Sequence, residues 1–489
     1  MNTADYLLQV GEDSHQAILT RENSYTYGEL RQACGRLLNS LLTMGVEPGD
    51  RIGILGENSL FWVASYLAIL KMGAVAVPFP TVSTLEELHR KELFIRCKAT
   101  CIEKRFQRKF SSALDQDLVQ ISDDVLLNQD TIRWDDFHTE FDIHQDAALM
   151  LTSGTTARPR AVRITHRNIQ ANTDSIIEYL KLNSDEKMLV VLPFYYCFGT
   201  SLLHTHLRVG ASLVLCNTFA YPETALNMIE SSQSTGLAGV PSTYMTLLRN
   251  SSFPRRNMKT LRKVQQAGGK LPVVFIKELM AVLPETQIFV MYGQTEATAR
   301  LSYLSPELLN SKIGSIGCGI PGVELKVIKD DGMPVKPGEV GEIYAWGDNI
   351  SPGYYNEPQA SAEKFIDGAL RTGDLATLDD EGFIYIVDRK SDFIKVAGRR
   401  VSSQEVEAVI LERPEVVSAA AIGMPDEVLG EAIKIFVTIK KGSLITTDDL
   451  LNHCRMKLVR FKVPKEIVII DRLPLNAHGK VVKSELRHL

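Results

Sequence analysis

The chain has 489 residues, 45% apolar and 23% charged, which is the balance of a globular protein large enough for more than one core. Its 54 basic and 59 acidic residues leave a net charge of −5, which argues against nonspecific nucleic-acid binding as the main activity. The opening residues MNTADYLLQVGEDSH carry neither a basic start nor an apolar stretch, so no signal peptide is expected.

In chain order, RIGILG, FWVASYLAILK and AVAVPF read as strand, helix and buried strand. Lys71 and Gly73 break the 61–79 stretch, so no membrane span is expected there. Seven scattered cysteines fit a reducing, cytoplasmic setting, and Cys97 and Cys101 lack the second ligand pair that structural zinc needs. Further alternation through MLVVLP, SLVLCN, FIKELMAVL and QIFVMYG predicts an α/β fold of parallel sheets flanked by helices, with ligands beyond the carboxyl ends of the strands. From about 320 to 388, short strands with Gly, Pro and Asp turns predict a small antiparallel β unit closing the large domain. After Arg389 comes a small α+β segment: a helix near Ser403 to Leu411, strands near Val416 to Ile422 and Ile433 to Ile439, and a helix near Thr447 to Leu458. The expected division is an N-terminal domain, 1–390, and a mobile C-terminal domain, 391–489.

The segment LTSGTTARPRAVRITH, from Leu151 to His166, sets Thr152, Ser153, Gly154, Thr155 and Thr156 against Arg158 and Arg160. Small residues let backbone NH groups converge on an anion, while hydroxyls and guanidinium groups add charge-assisted bonds, as polyphosphate binding requires. GxxxxGK[ST] is absent from it. Further along stand MYGQTEATAR, RTGDLA, DRKSDFIKVAGRRVSSQEVE and NAHGK. Glu296 in YGQTE is a candidate magnesium ligand, since a hard cation on phosphates prefers carboxylate oxygen. Gly268 and Gly269 allow close backbone approach to a base.

Together these segments resemble the adenylate-forming superfamily of acyl-CoA synthetases, adenylation domains and beetle luciferases, and the likeness covers nearly the whole chain. The resemblance implies that ATP and a carboxylic acid give an acyl adenylate and pyrophosphate, after which a thiol of CoA or a carrier protein displaces AMP. ATP and Mg2+ are the implied cofactors. In that pattern Thr295 contacts the α-phosphate, Tyr292 stacks on adenine, Asp374 and Arg389 hold the ribose, and Lys480 bridges carboxylate and α-phosphate. Ser391 is the implied hinge, Ala397 and Gly398 line a thiol tunnel, and Lys395 assists thioester formation. The loop departs from the usual TSGTTGxPKGV at Ala157, Arg160 and Ala161. Those departures motivate the other reading, a nucleotide-binding scaffold or regulator without turnover.

Acyl-pocket candidates are Tyr195, Tyr196, Cys197, Phe198, Gly199, His204, Val240, Pro241, Tyr244 and Gly293. No aspartate stands in LPFYYCFGTSL to hold an amine, and Gly293 stands where acetate-type relatives carry tryptophan. A fatty or aryl acid, and not an amino acid, is therefore expected.

Overall fold

Helix starts are written in side-chain oxygens. Thr26, Thr84, Thr165 and Thr446 each begin a reciprocal capping box, with Glu29, Glu87, Asn168 and Asp449 returning the bond. Helix Leu60–Lys71 is apolar on all sides and buries even its Lys71, whose ammonium meets Asp5 at 2.5 Å. The computed structural model describes residues 1–110, 112–114, 118–152, 159–389, 393–476 and 479–489.

Two sheets organise the first 320 residues. One runs in the order Val119–Ser122, Ala99–Ile102, Arg51–Leu55, Val75–Pro78, Asp146–Thr152, Arg160–Thr165. It is parallel except for its last pair. The Thr- and Arg-rich segment therefore joins the two strands of an antiparallel hairpin and does not lead directly into a helix. The second sheet is parallel from Gln287–Tyr292 through Lys263–Gln266, Gly236–Gly239, Lys187–Val190 and Ser212–Leu215 to Gln16–Leu19, with antiparallel strands at both edges. This is the mixed α/β architecture expected from the alternation, with antiparallel edges that the alternation did not reveal.

An antiparallel sheet follows, built on Val323–Ile328, Gly341–Gly347, Ala369–Leu378 and Ile384–Arg389. The C-terminal sheet holds Phe393–Val396, Arg399–Ser402, Val416–Asp426 and Gly430–Ile439, with Glu466–Ile469 added in parallel. One apolar cluster runs across the junction, from Leu247 and Phe275 to Val406 and Ile435. Buried Arg249 pairs with Glu278 at 2.6 Å and donates to the carbonyls of Arg413 and Val416. Asp388 accepts from the Ser402 hydroxyl at 2.7 Å and the Ser403 amide at 3.1 Å, linking the segments on either side of residues 390–392.

Candidate active site

Strand ends converge on one cleft. Strand Gln287–Tyr292 leads into the single turn Thr295–Ala297, which carries Glu296, while Asp374 and Arg389 face each other in register on adjacent strands. The Tyr292 hydroxyl donates to Asp374 Oδ2 at 2.6 Å, and Arg389 Nε donates to Oδ1 at 3.0 Å. Burial, reinforced by the Asp374 charge, holds the Tyr292 phenol well above its usual range, so it remains a donor. Asp374 is 4% exposed and pinned by two donors, with lone pairs left over for hydroxyl groups.

Glu296 Oε1 accepts the Tyr354 hydroxyl at 2.7 Å. The Arg160 guanidinium lies 4.8 Å from the Tyr354 ring centre and pairs with Glu357 at 3.1 Å. Arg160 thus braces the far side of the tyrosine that orients Glu296. Thr152 ends the preceding strand, its hydroxyl 3.5 Å from the Arg160 carbonyl. Ser153, Gly154, Thr155 and Thr156 lie outside the described residues, as do Ala157, Arg158 and Ser391. Among the described residues no three His, Cys, Asp or Glu side chains form a metal cage. The donor set fits Mg2+, because that ion is held by one or two carboxylates together with substrate phosphates and water. Glu296 is the carboxylate offered.

Lys364 was not singled out from sequence. Its ammonium donates to the Thr372 carbonyl at 2.9 Å, just before Asp374, and lines a cavity of about 260 Å³ with Arg160, Tyr354 and Arg371. Burial lowers its pKa, opposed by the charges of Glu296 and Asp374.

Lys480 arrives from the C-terminal segment. On either side of residues 477–478, the Asn476 side chain accepts the Lys480 amide at 3.0 Å and the Asn476 amide returns to the Lys480 carbonyl at 2.8 Å. Ser242, in helix Pro241–Arg249, donates to the Gly479 carbonyl at 2.9 Å and ties this segment to the large domain. Gly479 has φ of +73°, and a Cβ there would come 3.0 Å from Val240 Cγ2, so glycine suits both the backbone and the contact. Burial lowers the Lys480 pKa and Arg389 lowers it further, against the opposing charges of Cys197, Asp374 and Glu296. The Lys480 ammonium is thus within electrostatic reach of the groups expected to hold nucleotide.

The acyl side lies behind Cys197, whose sulfur is 3.5 Å from the Thr295 hydroxyl. A narrow cavity of about 10 Å³ is lined there by Cys197, Thr200, Ser201, His204, Tyr66 and Met150, among others. Tyr66 and His204 meet at 2.9 Å, and burial pushes the His204 pKa down to about 3, leaving the ring neutral. Tyr66 and Met150 were missed, since a tyrosine inside an all-apolar helix and a methionine in a buried strand look like ordinary core.

A Cβ at Gly293 would fall 2.0 Å from the Ala299 carbonyl oxygen, so this backbone admits glycine and no side chain. Tyr244 spends its hydroxyl on the Gln265 carbonyl at 2.7 Å, inside the second sheet's core. Gly199 likewise answers to the fold, because a Cβ would meet the Pro193 carbonyl at 2.2 Å. Tyr195, Tyr196, Phe198 and Val240 are buried, and a Cβ at Gly268, whose φ is +86°, would meet Val240 Cγ1 at 2.8 Å and the Tyr196 hydroxyl at 3.0 Å. Gly269 abuts Pro241, and its carbonyl accepts from Gln266 at 2.8 Å.

Lys395, Ala397 and Gly398 are not brought into the cleft. Lys395 is exposed on strand Phe393–Val396, opposite Arg400, and Ala397 and Gly398 form the exposed hairpin tip that leads to Arg399–Ser402, both with positive φ, +49° and +76°. This is the two-residue turn that matches strand twist.

Glu296, Asp374 and Arg389 gathered at strand ends, with the Lys480 loop of the C-terminal segment tied beside them, form the arrangement expected of an adenylate-forming enzyme. Residues 9–355 match the AMP-binding enzyme family and residues 405–480 match the AMP-binding enzyme C-terminal domain, and the chain belongs to this family. It is 32% identical over 484 residues to a feruloyl-CoA synthase of Amycolatopsis sp, covering 94% of this chain and 93% of that protein. It is 29% identical over 476 residues to the 2-succinylbenzoate–CoA ligase of Bacillus subtilis (strain 168), covering 96% and 94%. The structure of o-succinylbenzoate CoA synthetase from Bacillus subtilis with its acyl-adenylate intermediate OSB-AMP superposes with a TM-score of 0.88 at 27% identity, covering 99% of this chain and 98% of that one. The same synthetase has been solved with ATP and magnesium ion, at a TM-score of 0.87 and 27% identity, covering 99% of each chain. The protein is an ATP- and Mg2+-dependent, AMP-forming acyl-CoA ligase. No described helix is long and apolar enough to cross a membrane.

Proposed function

We propose that the cleft activates a compact non-amino carboxylic acid and passes the acyl group to CoA, with its residues divided between two half-reactions. Adenine lies against Gly268, Gly269 and Tyr292, the ribose hydroxyls bond Asp374 with Arg389 beside them, and the loop from Thr152 to Arg160 holds the β- and γ-phosphates. Glu296 holds the magnesium ion, which neutralises phosphate charge when bound. A carboxylate oxygen of the acid attacks the α-phosphorus and the bond to pyrophosphate breaks. Thr295 and the Lys480 ammonium stabilise the charge that builds on the oxygens between them, which is where a fixed cation in a water-poor site lowers the barrier most. The thiolate sulfur of CoA then attacks the acyl carbon, and AMP leaves.

The observation that carries this reading is the Lys480 loop tied to the large domain by the bond from Ser242 to the Gly479 carbonyl, with the charges of Arg389, Asp374 and Glu296 bearing on the ammonium. For the second half-reaction the C-terminal domain, 391–489, turns about Ser391 and presents Ala397, Gly398 and Lys395. The exposed hairpin tip supports that exchange of faces, because a turn of two positive-φ residues offers backbone where side chains would block a thiol.

The aryl substrates in the names of the relatives, feruloyl-CoA synthase and 2-succinylbenzoate–CoA ligase, support a compact acid over a long fatty chain. The test is ATP-dependent hydroxamate formation across aliphatic, aryl and amino acids, followed by thioester assays with CoA and with a holo carrier protein. Product with aryl or short acids and CoA is the expected result; turnover confined to amino acids or to carrier protein overturns it.

A further inference from the structure

Arg300 is 1% exposed, among the most deeply buried large side chains of the protein. Its Nε and one terminal nitrogen, Nη2, have no hydrogen-bond partner, and among the described residues no carboxylate lies within ion-pair distance. The guanidinium carbon sits 4.0 Å from the centre of the Phe198 ring, and the Tyr179 hydroxyl is a further polar neighbour. Its charge bears on Cys197 and Tyr196, of which Cys197 lines the acyl cavity. Thr298 and Ala299, immediately before it, line the same cavity.

A guanidinium keeps its charge when buried, so the chain bears the cost of desolvating a cation that an aromatic face and a phenol only partly offset. Its backbone explains its position but not its chemistry. The Arg300 carbonyl is anchored by Asn349 at 2.7 Å and Asn172 at 3.2 Å, yet any residue could supply that carbonyl. An apolar side chain of similar length would fill the space against Phe198 without the penalty. What the arginine adds is two outstanding N–H groups and a positive charge packed on Phe198, the neighbour of the cavity residue Cys197, in the forked form that matches a carboxylate.

We propose that Arg300 is the counter-charge for a second carboxylate on the acid, so that the preferred substrate is a compact dicarboxylic acid. One carboxylate meets Lys480 and Thr295 and becomes the mixed anhydride with AMP. The other passes Cys197 and pairs with Arg300. The proposal rests on the ligase reading above and adds the substrate class to it.

The test uses matched pairs of acids on the full-length enzyme, read by pyrophosphate exchange: succinate and glutarate against their monomethyl esters, and phthalate against 2-methylbenzoate. The wild type should favour the diacid of at least one pair by about 100-fold or more in kcat/KM, because a site built for a charged group rejects an analogue that leaves its donors unpaired. Arg300→Met should abolish that preference by loss on the diacid alone, with KM for ATP unchanged, and Arg300→Lys should restore part of it. Thermal unfolding provides a readout that does not pass through turnover. The preferred diacid should raise the melting temperature of the wild type but not of Arg300→Met, and the unliganded variant should melt no lower than the wild type. Better turnover of monoacids by the wild type, equal loss on both members of a pair, or a marked fall in the melting temperature of the variant overturns the proposal and returns Arg300 to the core. Absence of exchange with every acid overturns the ligase reading itself, a result distinct from a monoacid preference.

Discussion

The two ends of the cleft are built on opposite terms. At the nucleotide end charged groups answer one another: Asp374 is held by Tyr292 and Arg389, Glu296 by Tyr354, and Arg160 by Glu357. At the proposed acyl end a buried guanidinium has two nitrogens unpaired, and a tyrosine–histidine pair lines a cavity about the size of one water. A group used in every turnover is met by a scaffold organised in advance, whereas an acid that must be told from its analogues is met by unspent polarity.

The contrast is most exposed to a change at Lys480. Lys480→Ala should cut adenylate formation by roughly 10²- to 10³-fold, the scale of removing one charge-stabilising donor. Thioester formation from supplied acyl adenylate should be spared, and equal loss in both half-reactions, followed by quenched flow, would refute the division. Because burial lowers the Lys480 pKa and the protonated form is the useful one, adenylation should decline as pH rises through a value below that of an ordinary lysine. In Lys480→Arg that alkaline limb should move upward in a pH–rate profile.

Gly293→Ala would press a methyl group against the Ala299 carbonyl, at the edge of the acyl end, and should destabilise the fold by about 1–3 kcal/mol in calorimetry. If instead it only narrows acid specificity, Gly293 belongs to the pocket after all. Tyr354→Phe removes one donor to a carboxylate at the nucleotide end, worth about 1.5–3 kcal/mol. It should raise KM for MgATP several-fold without altering the ranking of acids. The smallest effect is expected outside both ends: Ala397→Gly relieves a positive φ of +49° and should stabilise the C-terminal domain by about 1 kcal/mol or less, seen as a small rise in its unfolding midpoint.

Legibility in the sequence followed the same contrast. Alternating apolar runs foretold the parallel sheets, because those depend on local periodicity. The antiparallel pairing of Asp146–Thr152 with Arg160–Thr165 was hidden, since strand direction depends on where the chain returns and not on composition. The nucleotide-end residues stood out because they sit in contiguous motifs such as YGQTE and RTGDLA. The acyl end is assembled from Tyr66, Met150, Cys197, His204 and Thr298, drawn from distant elements and disguised as core. Arg300 offered a signal that was passed over: a charged residue in ATARLSYL, where its neighbours are small or apolar and bound for the interior.

Asp388 bonds Ser402 and Ser403 from the far side of residues 390–392, so the proposed turn of the C-terminal sheet would have to snap both links. On that proposal the joint would behave as a catch with a definite resting notch and not as a free one. Such a catch would hold the lysine in place long enough for pyrophosphate to form, and then slip only once per cycle.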